Sequence, residues 1–191
     1  MQRVSRSLRE RAERIKLLLM DMDGVLTDGR IYYVPDGREG LIETKTFHSR
    51  DGLGLRFARQ AGLQTGIISG RKSPIVRYRA KELQIDFLRE AALDKLMPYE
   101  EVLRAAKVRD AEVCYVGDDL VDLPILRRAG LAVGVANGSV WLKKHVHYWT
   151  EAPGGGGAVR EVVELILQAQ GKWKAVLQSY FGQGPRLRAA G

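Results

Sequence analysis

A chain of 191 residues, 45% hydrophobic and 28% charged, can bury one substantial core and is too apolar for extensive disorder. Its net charge of +8 is concentrated near the ends: residues 1–16 carry +4 and residues 182–191 carry +2, leaving +2 for the body. No aromatic residues are interleaved with the basic ones, which argues against nucleic acid as a partner, and no apolar run approaches the roughly 18 residues of a membrane span.

From the N-terminus onward, apolar runs at 15–20, 63–68, 85–88, 112–116 and 131–135 read as buried parallel strands. Segments of helical period at 52–60, 74–83, 98–106 and 123–128 alternate with them. This rhythm predicts an α/β fold, a parallel sheet with helices on its faces. Ser73 before Pro74 marks a helix start, and Gly62 and Gly130 stand where helices should stop. Between the first strand and first helix, β-branched and aromatic residues flank Pro35-Asp36-Gly37, predicting a β-hairpin within 30–47. Beyond the fifth strand come an apolar stretch at 146–149, a glycine loop at 154–157 and a helix over 159–170 that continues past Gly171. One domain is expected over 1–181, with a disordered tail at 182–191. The Arg-rich start lacks the apolar stretch of a secretory signal, so a cytoplasmic location is expected. The single Cys114, inside an apolar run, reads as a buried core thiol.

Residues just beyond the carboxyl ends of parallel strands share one rim. Asp21 and Asp23 follow the first strand, Ser69-Gly70-Arg71 the second and Gly117-Asp118-Asp119 the fourth, while Lys95 precedes a helix after the third. Carboxylates gathered at one rim need a cation, and an all-oxygen ligand set suits Mg²⁺. With Lys95 and the Ser69 hydroxyl, such a site cradles a phosphoryl group. Asp21 is then placed as a nucleophile, and Asp23, pointing differently, as general acid and base.

This order of motifs resembles the haloacid dehalogenase superfamily, whose phosphatases carry Asp-x-Asp-Gly after the first strand, Ser or Thr after the second, a later Lys, and Gly-Asp-Asp. The resemblance implies a Rossmann-like sheet. It also implies a metal held by the Asp21 carboxylate, the Asp23 main-chain carbonyl and the Asp118 carboxylate, with Ser69 and Lys95 on phosphate. Asp122 reads equally as a further acidic position of that pattern or as a helix N-cap before Pro124.

Neither gap between motifs has room for a cap domain. The capless layout resembles the 3-deoxy-D-manno-octulosonate 8-phosphate phosphatase family over residues 8–175, in the stretches Asp21 to Gly29, Arg50-Asp51-Gly52, Ser69-Gly70-Arg71-Lys72 and Gly157-Ala158-Val159-Arg160. His48 and Gly156 depart from the residues common in that family. The resemblance implies release of phosphate from an eight-carbon acidic sugar in lipopolysaccharide synthesis, and a homotetramer assembled through the hairpins. Gly70, Arg71, Arg50 and Lys72 are candidates for substrate binding, Arg71 foremost, because a sugar carboxylate calls for a cation. The glycine loop either binds an anion through backbone N–H groups or only makes a turn. His145, His147 and the three tryptophans read as packing residues.

Alternatives of other kinds are a nine-carbon acid sugar phosphate as substrate, a non-catalytic regulatory homologue, and a phosphoacceptor receiver domain. The intact acidic positions oppose the second. The third would carry its acceptor after the third strand, where Arg89 stands instead.

Overall fold

The computed structural model describes residues 5–181. In chain order its elements are α1 (Arg6–Glu13), β1 (Leu17–Met20), β2 (Tyr32–Pro35), β3 (Leu41–Thr44), α2 (Ser49–Gln60), β4 (Gln64–Ile68), α3 (Pro74–Glu82) and β5 (Phe87–Arg89). There follow α4 (Leu96–Ala106), β6 (Val113–Gly117), α5 (Leu123–Leu126), β7 (Leu131–Gly134), β8 (Tyr148–Trp149), α6 (Ala158–Ala169) and α7 (Trp173–Tyr180). Six strands form one sheet in the order β5-β4-β1-β6-β7-β8, with every neighbouring pair parallel.

β1, β6 and β7 are wholly buried, which is why their sequences are continuous apolar runs. Alternate side chains still go to opposite faces. Leu18 and Met20 pack with residues of α1, α2, α3 and α6, whereas Leu17 and Leu19 pack with α4 and α5. In α6, Val159, Val162, Val163, Ile166 and Leu167 are buried at helical spacing. Each such side chain contributes about 1.5–3 kcal/mol by leaving water.

Four features differ from the sequence expectation. Residues 6–13, where the sequence predicted no element, form a helix: Leu8 and Ala12, four apart, are buried, while Arg6–Glu10 and Arg9–Glu13 ion pairs of 2.9 and 3.0 Å line the outer face. The sheet gains a sixth strand at β8, only two residues long and so without a periodicity to read. The helix over 159–170 ends at Gly171, whose φ of +69° breaks it and starts α7 separately. Trp141 is 70% exposed rather than packed. The tail expected at 182–191 lies outside the described residues.

β2 and β3 pair antiparallel as the hairpin, with Val34 opposite Ile42 and Tyr33 opposite Glu43, separate from the main sheet. Tyr33, Val34, Leu41 and Ile42 are exposed on it. Among the described residues, no helix is long and apolar enough to cross a membrane.

Candidate active site

In the sheet register, Met20 of β1 stands beside Ile67 of β4 and Val116 of β6. Asp21 therefore leaves the central strand level with Ile68 and Gly117, and Ser69 and Asp118 follow one residue later on either side. The Asp21 amide donates to the Val116 carbonyl at 3.0 Å, carrying the parallel ladder to the last position before the loop. The loop is then folded by Thr27, wholly buried, whose hydroxyl accepts from the amides of Gly24 and Gly29 and donates to the Met22 carbonyl.

Asp21 is buried, 6% exposed, and its Oδ1 is occupied. That oxygen accepts the Met22 amide at 2.7 Å and lies 2.9 Å from Lys95 Nζ. The second oxygen has no such partner among the described residues. Lys95, at the start of α4 and buried, also donates to Asp122 Oδ1 at 2.7 Å. Asp122 accepts in addition the Tyr115 hydroxyl at 2.7 Å and the amides of Asp118 and Asp119 at 3.0 and 3.3 Å. Four donors saturate a carboxylate. Asp122 occupies the N-cap position of α5 before Pro124, as one reading expected, but its side chain makes no cap bond there and instead holds Lys95 and the Asp118 turn in place.

Two glycines make these approaches feasible. A β-carbon at Gly117 would lie 2.6 Å from Asp122 Cβ. One at Gly24, where φ is +89°, would lie 2.1 Å from Asp118 Oδ2.

Asp21, Asp118 and Asp122 each bring an oxygen within 4.8 Å of the others. The cost of this crowding is visible in their protonation. Burial, then the Asp122 charge, pushes Asp21 up to about 6 despite Lys95. Burial, with repulsion from Asp21 and Asp122, pushes Asp118 up to about 7. Burial works against the Lys95 ammonium, yet Asp122 and Asp21 outweigh it and hold its pKa above the ordinary value. A hard divalent cation fits here: the donors are all oxygen, one oxygen of Asp21 is unengaged, and the Asp118 carboxylate accepts no hydrogen bond among the described residues.

The Asp23 side chain turns away from this cluster. Its Oδ1 lies 2.5 Å from Lys45 Nζ, and Lys45, wholly buried at its side chain, is also 3.2 Å from Glu43 Oε1. Glu43 in turn accepts Arg71 Nη2 at 2.7 Å. Burial disfavours the Glu43 charge, but Arg71 and Lys45 prevail and hold the carboxyl below its usual range. Of the other expected residues, Ser69 is buried at the end of β4 with its hydroxyl accepting the Arg71 amide at 3.2 Å, and Gly70 is half-buried beside it. Arg50 lies in the first turn of α2 with its guanidinium toward Gly157, and Lys72 is exposed.

The glycine loop has no amides to spare for an anion. Gly154 N–H goes to Asn137 Oδ1, Gly155 to the Val25 carbonyl, Gly156 to the Pro153 carbonyl and Gly157 to Asp51 Oδ2. Asp51 Oδ1 also accepts Arg160 N–H at 2.8 Å, so a fully buried carboxylate from α2 closes the start of α6. The loop is a clamp on the Asp21 loop. His147 Nδ1 accepts the Ala132 amide at 2.9 Å, a structural use in keeping with the packing role expected of it.

Sequence reasoning missed Lys45, Glu43, Tyr115 and the capping use of Asp51. Only Asp51 carried a signal, standing beside Gly52 at a helix start within a stretch already noted.

Residues 51–130 match the family model described as haloacid dehalogenase-like hydrolase. The chain is 41% identical over 169 residues to the 3-deoxy-D-manno-octulosonate 8-phosphate phosphatase KdsC of Escherichia coli K12, covering 88% of each sequence. It superposes on the 3-deoxy-D-manno-octulosonate 8-phosphate phosphatase of Moraxella catarrhalis in complex with a magnesium ion, a phosphate ion and KDO with a TM-score of 0.86 at 41% identity, over 91% of this chain and 97% of that one. The corresponding enzyme of Yersinia pestis gives 0.85 at 40% identity, over 90% of both chains.

Proposed function

Because the chain belongs to the 3-deoxy-D-manno-octulosonate 8-phosphate phosphatase family of haloacid dehalogenase-like hydrolases, we propose that it hydrolyses that sugar phosphate to inorganic phosphate and the free sugar acid, in lipopolysaccharide synthesis. One observation carries the reading: Asp21 is fixed at the sheet rim through Oδ1 by Met22 N–H and Lys95, with its other oxygen left over, beside Asp118.

The carboxylates of Asp21 and Asp118, with the main-chain carbonyl of Asp23 as the family resemblance implies, would hold magnesium, which would supply charge neutralisation for the phosphoryl group and the converging acids. Asp21 bonds to phosphorus through its unengaged oxygen as the bond from phosphorus to the sugar oxygen breaks, giving an aspartyl-phosphate. Asp23 gives its proton to the leaving oxygen. It then takes one from the water that attacks phosphorus, which releases phosphate and restores Asp21. Ser69 and Lys95 hold the non-bridging oxygens, where charge spreads in the transition state. Arg71 meets the sugar carboxylate, with Gly70, Arg50 and Lys72 around it.

The exposed apolar hairpin supports a homotetramer in which a neighbouring copy covers a site that no cap domain closes. A phosphorylated sugar substrate supports a location in the cytoplasm.

The test is phosphate release from a panel of sugar phosphates with Mg²⁺, using Asp21→Asn as control. The eight-carbon acid phosphate should be turned over fastest, and Asp21→Asn should fall to background. Faster turnover of a nine-carbon acid phosphate overturns the substrate, and an active Asp21→Asn overturns the nucleophile.

A further inference from the structure

The proposed general acid is the one catalytic carboxylate held by a residue of the hairpin. Lys45 follows β3 directly, and its ammonium is buried with 0% side-chain exposure between Asp23 Oδ1 at 2.5 Å and Glu43 Oε1 at 3.2 Å. An ammonium out of water is costly unless closely paired, so its partners are fixed as firmly as it is. Glu43 is itself anchored by Arg71 at 2.7 Å. The result is a row of alternating charges, Asp23, Lys45, Glu43 and Arg71, running from the acid to the foremost substrate-binding candidate.

We propose that Lys45 is a positioning residue that fixes the Asp23 carboxylate for proton transfer, an inference that rests on the phosphatase reading above. An aspartate carboxylate has two equivalent oxygens and rotates freely about its terminal bond. With Oδ1 tied to Lys45, only Oδ2 is left to exchange a proton, and it is presented in one direction. The same oxygen then serves both half-reactions: it loses a proton to the leaving oxygen and regains one from the attacking water. Glu43 acts one step further out, holding the ammonium from its other side so that Lys45 cannot follow Asp23 if the loop shifts.

The experiment compares wild type, Lys45→Met and Glu43→Gln, all with Mg²⁺, on three substrates: 3-deoxy-D-manno-octulosonate 8-phosphate, phenyl phosphate and 2,4-dinitrophenyl phosphate. Phenolate is a poor leaving group that needs the acid, whereas dinitrophenolate departs without a proton. Lys45→Met should lose about 100-fold in kcat on the sugar and phenyl esters with little change in KM, as expected for removal of acid–base assistance. On the dinitrophenyl ester its first turnover should be preserved. A burst of about one dinitrophenolate per active site should appear, because hydrolysis of the aspartyl-phosphate still needs Asp23 as base. Glu43→Gln, which keeps the ammonium and loosens it, should show the same contrast at smaller size. Equal first-turnover losses on both aryl esters, or wild-type kinetics in Lys45→Met, overturn the inference. If Lys45→Met does not fold, Glu43→Gln decides alone, and equal losses there overturn it. A wild type inert on the sugar ester, with the aryl contrast intact in the variants, overturns the substrate reading and leaves the role of Lys45 standing.

Discussion

Lys95 Nζ lies 2.7 Å from Asp122 Oδ1, with 2% of one side chain and 0% of the other exposed, so the cation beside Asp21 is fixed by a carboxylate that four donors already saturate. Breaking such a pair from one side leaves an uncompensated buried charge. Asp122→Asn should therefore cost about 3 kcal/mol in stability and lower kcat about 10–100-fold. Tyr115→Phe, which removes one of four donors, should cost about 1 kcal/mol. Denaturant unfolding and phosphate release check both; an Asp122→Asn enzyme with wild-type values would show that Lys95 and the Asp118 turn hold themselves.

Stability of the metal-free protein should fall as pH rises. Asp21 and Asp118 are raised to about 6 and about 7 from 3.8, so the folded state keeps protons that the unfolded chain has released. Their stabilising contribution is complete below the unfolded value and is lost as pH climbs through the folded ones. Magnesium needs the carboxylates unprotonated, so its stabilisation should grow across the same window. Melting temperatures in chelator and in Mg²⁺ at pH 5 and pH 8 read this directly. A magnesium-induced shift as large at pH 5 as at pH 8 contradicts it.

Asp51 accepts the amides of Gly157 and Arg160 from across the core. Asp51→Ala uncaps α6 and should cost about 2 kcal/mol. Because Asp51 lies outside the reacting groups, Asp51→Ala protein that remains folded should keep its KM within about twofold. Thermal unfolding beside steady-state kinetics separates the two effects, and a large loss of kcat at unchanged stability would assign Asp51 a chemical role instead.

Val34 and Ile42 face one another across the hairpin, 48% and 53% exposed. A charge there should repel any copy that packs on this face, so Ile42→Glu is expected to convert the proposed tetramer to smaller species with the fold intact. Light scattering coupled to size exclusion measures it, with circular dichroism as control. An Ile42→Glu tetramer would move the interface elsewhere.

The strand and helix rhythm and the order of the acidic motifs were legible because each is local: an apolar run, then a turn with a carboxylate or hydroxyl at a fixed offset. Asp21, Ser69, Lys95 and Asp118 could be placed on one rim from topology alone. Lys45 could not, because its tie to Asp23 spans 22 residues and depends on how the hairpin folds back. The Asp51 cap spans 106 residues to Gly157, and no local pattern announces it. α1 was hidden for the opposite reason: a dense run of charges masks a stripe of only two buried residues, Leu8 and Ala12.

The clamp between Gly155 and Val25 bears on how the molecule is made. Within this chain Asp21 is synthesised before the segments that brace its strand and its loop. Its strand acquires its β6 neighbour only once residues 113–117 are made, and its loop is braced only after residues 154–157 follow. A nascent chain thus carries Asp21 without this brace until residues 154–157 have followed. The site is completed only by contacts between segments far apart in the chain.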